Sequence, residues 1–175
     1  MTALRPSAIF GPQDEFFNTF ARLVRLTPVV FPMIGGGKAE FQPVSVFDVA
    51  EAAVRSLKDD STISQELVLG GPEPLTLGEI QKRVVEALET SRVFFPAPVA
   101  LLRPAVFVME NTLPGSPVSS GLLELLAVPN TTPNNALVEH FGMAPISFSG
   151  ENIEYLKDTS AGQAINKFFT GATVN

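Results

Sequence analysis

Apolar and polar residues follow one another along the first part of the chain in a pattern that predicts strands followed by helices. The run from Ala3 to Phe10 is mostly apolar and is closed by Gly11-Pro12, which is typical of a buried parallel strand that ends in a turn. Apolar residues then recur at helical spacing until Thr27-Pro28, which predicts the end of that helix. The apolar positions of this helix are Phe16, Phe17, Phe20, Leu23, Val24 and Leu26.

Two extended segments and a second helix are predicted next. Val29 to Ile34 is an apolar run, the three glycines 35–37 predict a flexible turn, and Phe41 to Val46 resumes an extended pattern. Asp48 with Glu51 three residues later predicts a capping box for an alanine-rich helix that runs to about residue 57.

A further strand and the clearest helix follow. Glu66 to Leu69 predicts a strand that ends in a glycine-rich turn. Thr76 with Glu79 predicts a second capping box, because a hydroxyl and a carboxylate at this spacing can each accept from a backbone amide. The apolar positions of the helix behind it are Ile80, Val84, Val85 and Leu88.

Beyond Arg92 the pattern changes to an apolar stretch that is interrupted by proline. Residues 93–109 contain Pro96, Pro98 and Pro104, so two short helical pieces are expected instead of one long helix. A polar stretch at 111–120 separates them from three more short helices. These are predicted at 121–127, at 135–141 and at 151–157, the last capped by Ser149.

The alternation of strands and helices predicts an α/β architecture with a partly parallel sheet. Residues 1–90 carry that alternation, and residues 91–175 are predicted to form a smaller helical or irregular region. A content of 45% apolar and 17% charged residues is typical of a globular unit with a sizeable core.

Charge and composition exclude several kinds of site. A net charge of -6 repels nucleic-acid phosphates, so no nucleic-acid partner is expected. The chain has no cysteine, and His140 is its only histidine, so thiolate and multi-histidine metal sites are excluded and no metal site is predicted. A lone histidine is more often structural than catalytic, and His140 is given no role.

The remaining polar motifs have simple structural interpretations. Gly35-Gly36-Gly37-Lys38 resembles a phosphate-binding loop only in part, since Ala39 follows the lysine where that motif needs Ser or Thr. The pairs Asp14/Glu15 and Asp59/Asp60 lie in polar stretches and are interpreted as solvated surface charge. Tyr155 and Lys157, two residues apart, are expected to point in different directions on a helix.

Four blocks of sequence, in order along the chain, carry a resemblance to a known family. They are 4–12 (LRPSAIFGP), 14–18 (DEFFN), 41–50 (FQPVSVFDVA) and 69–73 (LGGPE). This set resembles the C-terminal half of the extended or atypical short-chain dehydrogenases and, more narrowly, the family of the complex I (NADH:ubiquinone oxidoreductase) alpha-subcomplex subunit 9 with its bacterial relatives. The resemblance implies that residues 1–90 are the C-terminal part of an NAD(P)-binding Rossmann-type fold and that 91–175 form a small, mostly helical substrate-side region.

The resemblance also implies a cofactor-binding segment. In that family the equivalent of the first strand passes beside the nicotinamide ring of NADP or NAD, which places Pro6, Ser7, Ala8 and Ile9 next to the cofactor, mainly through backbone atoms. The family's glycine fingerprint and Tyr-x-x-x-Lys pair would lie before Met1, so no catalytic residue is assigned in this chain. The N-terminal half of the fold is therefore the first expected partner.

Two departures from the sugar-nucleotide members of the family bear on the substrate. Those members carry an asparagine where this chain has Ala8 and an Arg-Asp pair where it has Phe41-Gln42. Loss of an amide and a guanidinium removes hydrogen bonds that a sugar diphosphate needs. Sugar-nucleotide chemistry is not expected.

Three hypotheses about function remain open. The first is an accessory component of complex I that holds NAD(P)H for structure, with the other complex I subunits as partners and a place on the matrix side of the mitochondrial inner membrane. A bacterial relative would be cytoplasmic or bound to the inner face of the plasma membrane. The second is part of an NAD(P)-dependent oxidoreductase or epimerase that acts on a small substrate other than a sugar nucleotide, with an apolar pocket lined by Phe16, Phe31, Phe41 and Val44. The third is a ligand-free interaction module. Residues 93–109 are expected to contact a membrane or a partner, or else to pack in the core, if the chain belongs to a membrane complex; otherwise core packing is favoured.

Overall fold

The computed structural model describes residues 1–112, 121, 126 and 128–158. Strands and helices alternate through the described part as the sequence predicts. The strands are β1 Ala3–Pro6, β2 Ile9–Phe10, β3 Val30–Ile34, β4 Glu40–Phe41, β5 Val44–Ser45, β6 Glu66–Leu69, β7 Leu75–Thr76 and β8 Val93–Ala97. The helices are α1 Phe16–Leu26, α2 Val46–Ser56, α3 Leu77–Ala87, α4 Val99–Thr112 and α5 Ala136–Glu139, with 3₁₀ helices at Asp60–Thr62 and Gly150–Asp158.

Strand pairing is mostly parallel and joins distant parts of the chain. Three pairs, β1 with β6, β2 with β5 and β3 with β8, are parallel, and β4 with β7 is antiparallel. Ala3 lies opposite Glu66 in the first pair, and Val30 lies opposite Val93 in the third. The predicted α/β class with a partly parallel sheet is confirmed.

The predicted strand from Ala3 to Phe10 is divided into β1 and β2. The amide of Ser7 donates to the carbonyl of Leu69, whereas the carbonyl of Ala8 accepts from the amide of Val44. The strand therefore changes its hydrogen-bonded neighbour from β6 to β5 between these two residues, and its ladder is interrupted there.

Two apolar clusters hold the described part together. The larger one lies between α1, α3 and the 3₁₀ helix Gly150–Asp158, and phenylalanine rings stack edge to face inside it. The smaller one lies between β1, β6, α2 and α5. The phenylalanines of the larger cluster are Phe10, Phe17, Phe20, Phe31, Phe41 and Phe148.

Helix ends agree with the sequence at α3 and differ at α2. The Thr76–Glu79 capping box is present, with a 3.2 Å bond from the Glu79 amide to the Thr76 hydroxyl. The prediction that Asp48 caps α2 is wrong, because the cap is Ser45, whose Oγ accepts from the Phe47 amide at 3.2 Å. The chain enters α2 directly from β5, so the last strand residue is the one placed to cap the helix.

The prediction of two helical pieces in 93–109 is also wrong. Residues Val93–Ala97 form β8, and α4 then continues through Pro104. Pro96 is tolerated in β8 because that strand has a neighbour on one side only in the described structure, so a lost amide need not break a ladder bond. The predicted helix 151–157 is a 3₁₀ helix, 135–141 contains α5, and 121–127 lies largely outside the described residues.

Candidate functional site

The carboxyl ends of the parallel strands β2 and β5 open into a cavity. In open α/β sheets, ligands bind outside the carboxyl ends of the strands, so this is the expected place for a site. The cavity measures about 500 Å³ and lies between the loop that follows β2 and the start of α2. Its lining consists of Ile9, Gly11, Pro12, Gln13, Asp14, Glu15, Phe16, Val46 and Phe47.

A second cavity of about 290 Å³ adjoins the first across the same loop. The two share Gly11, Pro12 and Phe47, and the second is bounded on its far side by Tyr155 from the 3₁₀ helix Gly150–Asp158. Phe47 is 65% exposed although it sits in the first turn of a helix, and its ring forms part of the wall of both cavities. An exposed aromatic ring beside an open cavity is a surface suited to a flat apolar ligand group.

Asp14 fixes the shape of the loop between β2 and α1. One carboxylate oxygen accepts from the amides of Phe17 at 2.6 Å and Asn18 at 3.2 Å. The other accepts from the Gly11 amide at 3.3 Å and from the Tyr155 hydroxyl at 2.6 Å. The side chain thus caps α1 and closes the loop onto itself.

The interpretation of Asp14 as solvated surface charge is wrong. Burial raises the pKa of Asp14 above its ordinary value, although Tyr155, Asn18, Gly11 and Phe17 donate bonds that favour the carboxylate and act against the shift. Burial, followed by the neighbouring Asp14 charge, raises the pKa of Tyr155 far above its ordinary value. Tyr155 is therefore a hydrogen-bond donor here and cannot act as a base near neutral pH.

The predicted cofactor-binding residues lie on the strand that leads into the cavity. Pro6 ends β1, and the carbonyl of Ala8 is occupied by the Val44 amide. Ser7 is buried, and its hydroxyl donates to the Asn130 carbonyl at 2.8 Å, so this side chain is held inside the fold. Ile9 is 36% exposed and lines the cavity. Contact of the four with a nicotinamide ring stays a prediction.

The four predicted pocket residues do not share one environment. The rings of Phe16 and Phe41 lie 6.0 Å apart, and Phe16 also borders the cavity. Phe31 is buried against Phe94, and Val44 belongs to the smaller apolar cluster. The structure thus places Phe16, Phe31 and Phe41 in or against the larger cluster and Val44 in the smaller one, and of the four only Phe16 borders the cavity. A substrate-binding role for the set stays a prediction.

Gln42, at the place of the family's Arg-Asp pair, is occupied entirely by internal contacts. Its Nε2 donates to the Gly71 carbonyl at 2.8 Å, and its Oε1 accepts from the Thr132 amide at 3.0 Å. Asn135 holds the same glycine turn from the other side, donating to the Gly70 carbonyl at 2.7 Å. Gln42 is buried and therefore supports the turn instead of facing a ligand.

One polar contact on the surface, between His140 and Asp59, was not predicted from the sequence. The Nε2 atom of His140 lies 3.0 Å from the Asp59 carboxylate, and the Ser61 hydroxyl donates to that carboxylate at 2.6 Å. The Ser61 hydroxyl and amide, with His140 contributing less, lower the pKa of Asp59. Both Asp59 and Ser61 approach the same nitrogen, so the arrangement lacks the relay order of a Ser-His-Asp triad.

Two observations concern sites of other kinds. In the described ranges, no group of three or more histidine, aspartate and glutamate side chains is placed to hold a metal ion. None of the helices among residues that the structure describes is long and apolar enough to cross a membrane. Val93, Phe95, Phe107 and Val108 are exposed, and a membrane contact through 93–109 stays a prediction.

Sequence comparison relates nearly the whole chain to one mitochondrial protein. The chain is 32% identical over 166 residues to the Arabidopsis thaliana NADH dehydrogenase [ubiquinone] 1 alpha subcomplex subunit 9, which covers 89% of the chain and 41% of that protein. The Mus musculus protein of the same name is 34% identical over 99 residues, 56% of the chain and 25% of that protein. The chain thus spans less than half the length of these relatives. No protein-family model matches it.

Comparison with solved structures shows the fold. A UDP-galactose 4-epimerase superposes with a TM-score of 0.56 at 16% identity, over 94% of this chain and 46% of its own. A UDP-N-acetylglucosamine 4-epimerase from Bacillus cereus superposes with a TM-score of 0.57 at 12% identity, over 88% of this chain and 46% of its own. A dTDP-glucose 4,6-dehydratase from Bacillus anthracis, solved in complex with NAD, superposes with a TM-score of 0.53 at 12% identity, over 96% of this chain and 46% of its own.

Sequence and fold lead to the same family. The relatives that share sequence are complex I subunits of mitochondria, and the neighbours that share the fold are Rossmann-type epimerases and dehydratases, at least one of which holds NAD. The chain is therefore related to part of the complex I alpha-subcomplex subunit 9 and has the fold of the extended short-chain dehydrogenases.

Proposed function

We propose that this chain is part of an accessory subunit of respiratory complex I which holds NADP or NAD for structure and assembly, with little or no catalysis. The observation that carries the proposal is the 32% identity to the Arabidopsis subunit over 89% of the chain. The other complex I subunits are the partners, and the matrix side of the inner membrane is the location.

The cavity at the ends of β2 and β5 supports a cofactor-facing role. Its wall combines the exposed ring of Phe47 with Ile9 and the half-buried ring of Phe16, which together offer an apolar surface to a nicotinamide ring. Rossmann-type folds place a nicotinamide nucleotide at the carboxyl ends of parallel strands, and these strands end there. The residues fit the ring end of such a cofactor; the phosphate end would be held by the other half of the fold.

The internal contacts of Gln42 support a role without sugar-nucleotide turnover. A substrate diphosphate needs a free cationic donor, and at this position the chain presents an amide that is bonded to Gly71 and Thr132. Tyr155, the only tyrosine of the chain, donates to Asp14 and has a raised pKa, so it supplies no base for hydride chemistry.

One observation favours a second candidate, an enzyme that acts on a small apolar substrate. The cavity beside Phe16 is open and largely apolar, which would admit such a molecule next to the ring of a bound cofactor.

Calorimetric titration of the full-length protein with NADPH and NADH, with the oxidation of each cofactor followed in the presence of carbonyl compounds, separates the two candidates. Binding without turnover supports the accessory role, whereas turnover supports the enzyme. Phe47→Asp should weaken binding by about tenfold or more, since one charged group at an apolar contact costs at least 1.4 kcal/mol. Phe107→Asp, on an equally exposed phenylalanine of α4, is the matched control and should leave binding unchanged.

Native gel electrophoresis of mitochondria that carry the tagged protein tests the assembly part. Co-migration of the tag with complex I is expected. A tagged protein that migrates alone and binds neither nucleotide would contradict the proposal and leave only a ligand-free interaction module.

A further inference from the structure

A third cavity lies at the carboxyl ends of the parallel strands β3 and β8. Ile34 and Ala97, which lie opposite each other in the register, are the last residues of these strands. The cavity measures about 550 Å³ and lies between the glycine turn that follows β3 and the start of α4. It shares no lining residue with the two cavities beside Phe47, so the proposed cofactor role does not use it.

The wall of this cavity is mostly apolar. Gly35 and Gly36 have positive φ angles of 60° and 72°, and a Cβ atom at Gly35 would lie 3.6 Å from Cγ2 of Val99. Bare backbone at the glycine turn therefore leaves the space beside Val99 open. Such a wall favours an aliphatic or aromatic ligand group over a well-hydrated one. The apolar side chains of the wall belong to Ile34, Ala39, Pro96, Pro98, Val99 and Leu126.

Lys38 supplies the one charged side chain of the described wall. It is exposed, and it forms no ion pair with any residue in the described ranges. The cavity beside Phe47, by contrast, is lined by Asp14 and Glu15 and by no lysine or arginine. An anionic ligand is therefore favoured at Lys38 and disfavoured beside Asp14.

The chemistry of the wall limits the kind of anion that fits. A nucleotide polyphosphate needs several cationic donors around it, and this wall offers a single ammonium group among apolar side chains. A ligand with one anionic group and one aliphatic chain matches both parts of the wall. Its head group can pair with Lys38 while its chain is removed from water against Val99 and Leu126.

We propose that the cavity at the ends of β3 and β8 binds a small amphipathic anion, a carboxylate that carries an aliphatic chain. Lys38 selects the charge of the head group, and the apolar wall selects the chain. The site is separate from the cofactor cavity, so this proposal and the proposed function can fail independently.

Calorimetric titration of the full-length protein with sodium decanoate, below the concentration at which it forms micelles, tests the proposal. One decanoate should bind per protein, and acetate should bind at least tenfold more weakly because it lacks the chain. Lys38→Met keeps the aliphatic part of the side chain and removes its charge, so it should weaken decanoate binding by about two- to fivefold, the effect of one exposed ion pair. Lys58→Met, on an exposed lysine beyond α2, is the matched control and should change nothing.

Pro98→Asp provides a second variant, aimed at the apolar wall. Pro98 is exposed and immediately precedes α4, where aspartate is a favourable helix cap, so the melting temperature should not fall. A carboxylate in the wall should weaken decanoate binding by about tenfold or more, because it repels the head group and disfavours the chain.

Three results would overturn the proposal. They are the absence of decanoate binding by the wild type, equal binding by Lys38→Met and Pro98→Asp, and sedimentation with anionic phospholipid vesicles by a protein that does not bind decanoate. The last result would indicate a surface contact with lipid head groups instead of a cavity. A protein that binds decanoate and neither NADPH nor NADH would contradict the proposed function and leave this site in place.

Discussion

The hydroxyl of Tyr155 donates a 2.6 Å hydrogen bond to the carboxylate of Asp14, joining two residues that are 141 positions apart in the sequence. Asp14 in turn caps α1 and holds the loop after β2, which borders the candidate site. The 3₁₀ helix Gly150–Asp158 therefore helps to fix the loop that borders the candidate site at the ends of β2 and β5.

Removal of this bond should destabilise the protein in a pH-dependent way. Tyr155→Phe is expected to lower the free energy of unfolding by about 1–3 kcal/mol, because a buried carboxylate loses a donor. The Tyr155 hydroxyl lowers the pKa of Asp14 and burial raises it, so the pKa of Asp14 should rise further in the variant. Urea unfolding and NMR titration of the Asp14 carboxyl measure the two effects.

The sign of the pH dependence follows from the raised pKa of Asp14. Stability associated with this group is present below the ordinary aspartate pKa and is lost as the pH rises through the folded value. Because the pKa of Asp14 is higher still in Tyr155→Phe, that variant loses more of this stability. The difference in free energy of unfolding between the wild type and the variant should therefore increase as the pH rises from the ordinary aspartate pKa through the folded values. Asp14→Asn, which cannot ionise at this position, is the control. If Tyr155→Phe changes the free energy of unfolding with the same pH dependence in the Asp14→Asn protein as in the wild type, this account is contradicted.

Gly71 should tolerate no side chain. A Cβ atom there would lie 1.8 Å from the carbonyl oxygen of Pro43, which is backbone and cannot turn away. Gly71→Ala is therefore expected to cost about 3 kcal/mol or more. Gly142→Ala is the matched control, since nothing lies within 4 Å and only its positive φ of 60° opposes the change, at roughly 1–2 kcal/mol. Equal melting temperatures of the two variants would disprove the prediction.

Gln42 should matter for stability and not directly for ligand contact. Gln42→Leu removes the acceptor of the Thr132 amide and one of the two donors to the Gly71 carbonyl, which keeps its bond from Asn135, and the expected loss is about 1–3 kcal/mol in the free energy of unfolding. Gln65→Leu, at an exposed position, should change it by less than about 0.5 kcal/mol. Chemical denaturation compares the two; a Gln42→Leu protein as stable as the wild type would show that the buried amide contributes nothing.

The pKa of Asp59 should change more when Ser61 is substituted than when His140 is substituted. The Ser61 hydroxyl is the main cause of the lowered pKa of Asp59, so Ser61→Ala should raise that pKa more than His140→Ala does. A lowered folded pKa stabilises above the ordinary aspartate value, and this contribution is lost as the pH falls through the folded value. In Ser61→Ala this contribution should be smaller, and its loss should be complete at a higher pH than in the wild type. NMR titration of Asp59 in both variants checks the order.

Local signals in the sequence predicted the elements that depend on local contacts. Helix α1 and the capping box of Thr76 and Glu79 were readable because a helix is defined by residues three or four positions apart. Strands β3 and β6 were predicted from short runs of consecutive apolar residues, which are also a local signal. The resemblance of four sequence blocks added the fold, which the solved neighbours confirm.

Contacts between distant residues were not readable. Val93 to Ala97 form a strand because β3, whose Val30 lies opposite Val93, offers an edge from a distant part of the chain, and no pattern within 93–97 reveals that partner. Asp14 looks solvated in the sequence, and only the arrival of Tyr155 beside it in the fold explains its environment. Gln42 likewise gains its role from Gly71 and Thr132, which come from two other segments.

The packing of the 3₁₀ helix Gly150–Asp158 has a consequence for biosynthesis. Ile153 and Leu156, with Phe148 just before them, are fully buried in the cluster that contains Phe10 and Phe17. As the ribosome releases the chain, the phenylalanines of β2 and α1 emerge well before the side chains that cover them. They must stay exposed until translation has passed residue 156, an interval in which chaperones would be expected to bind this segment.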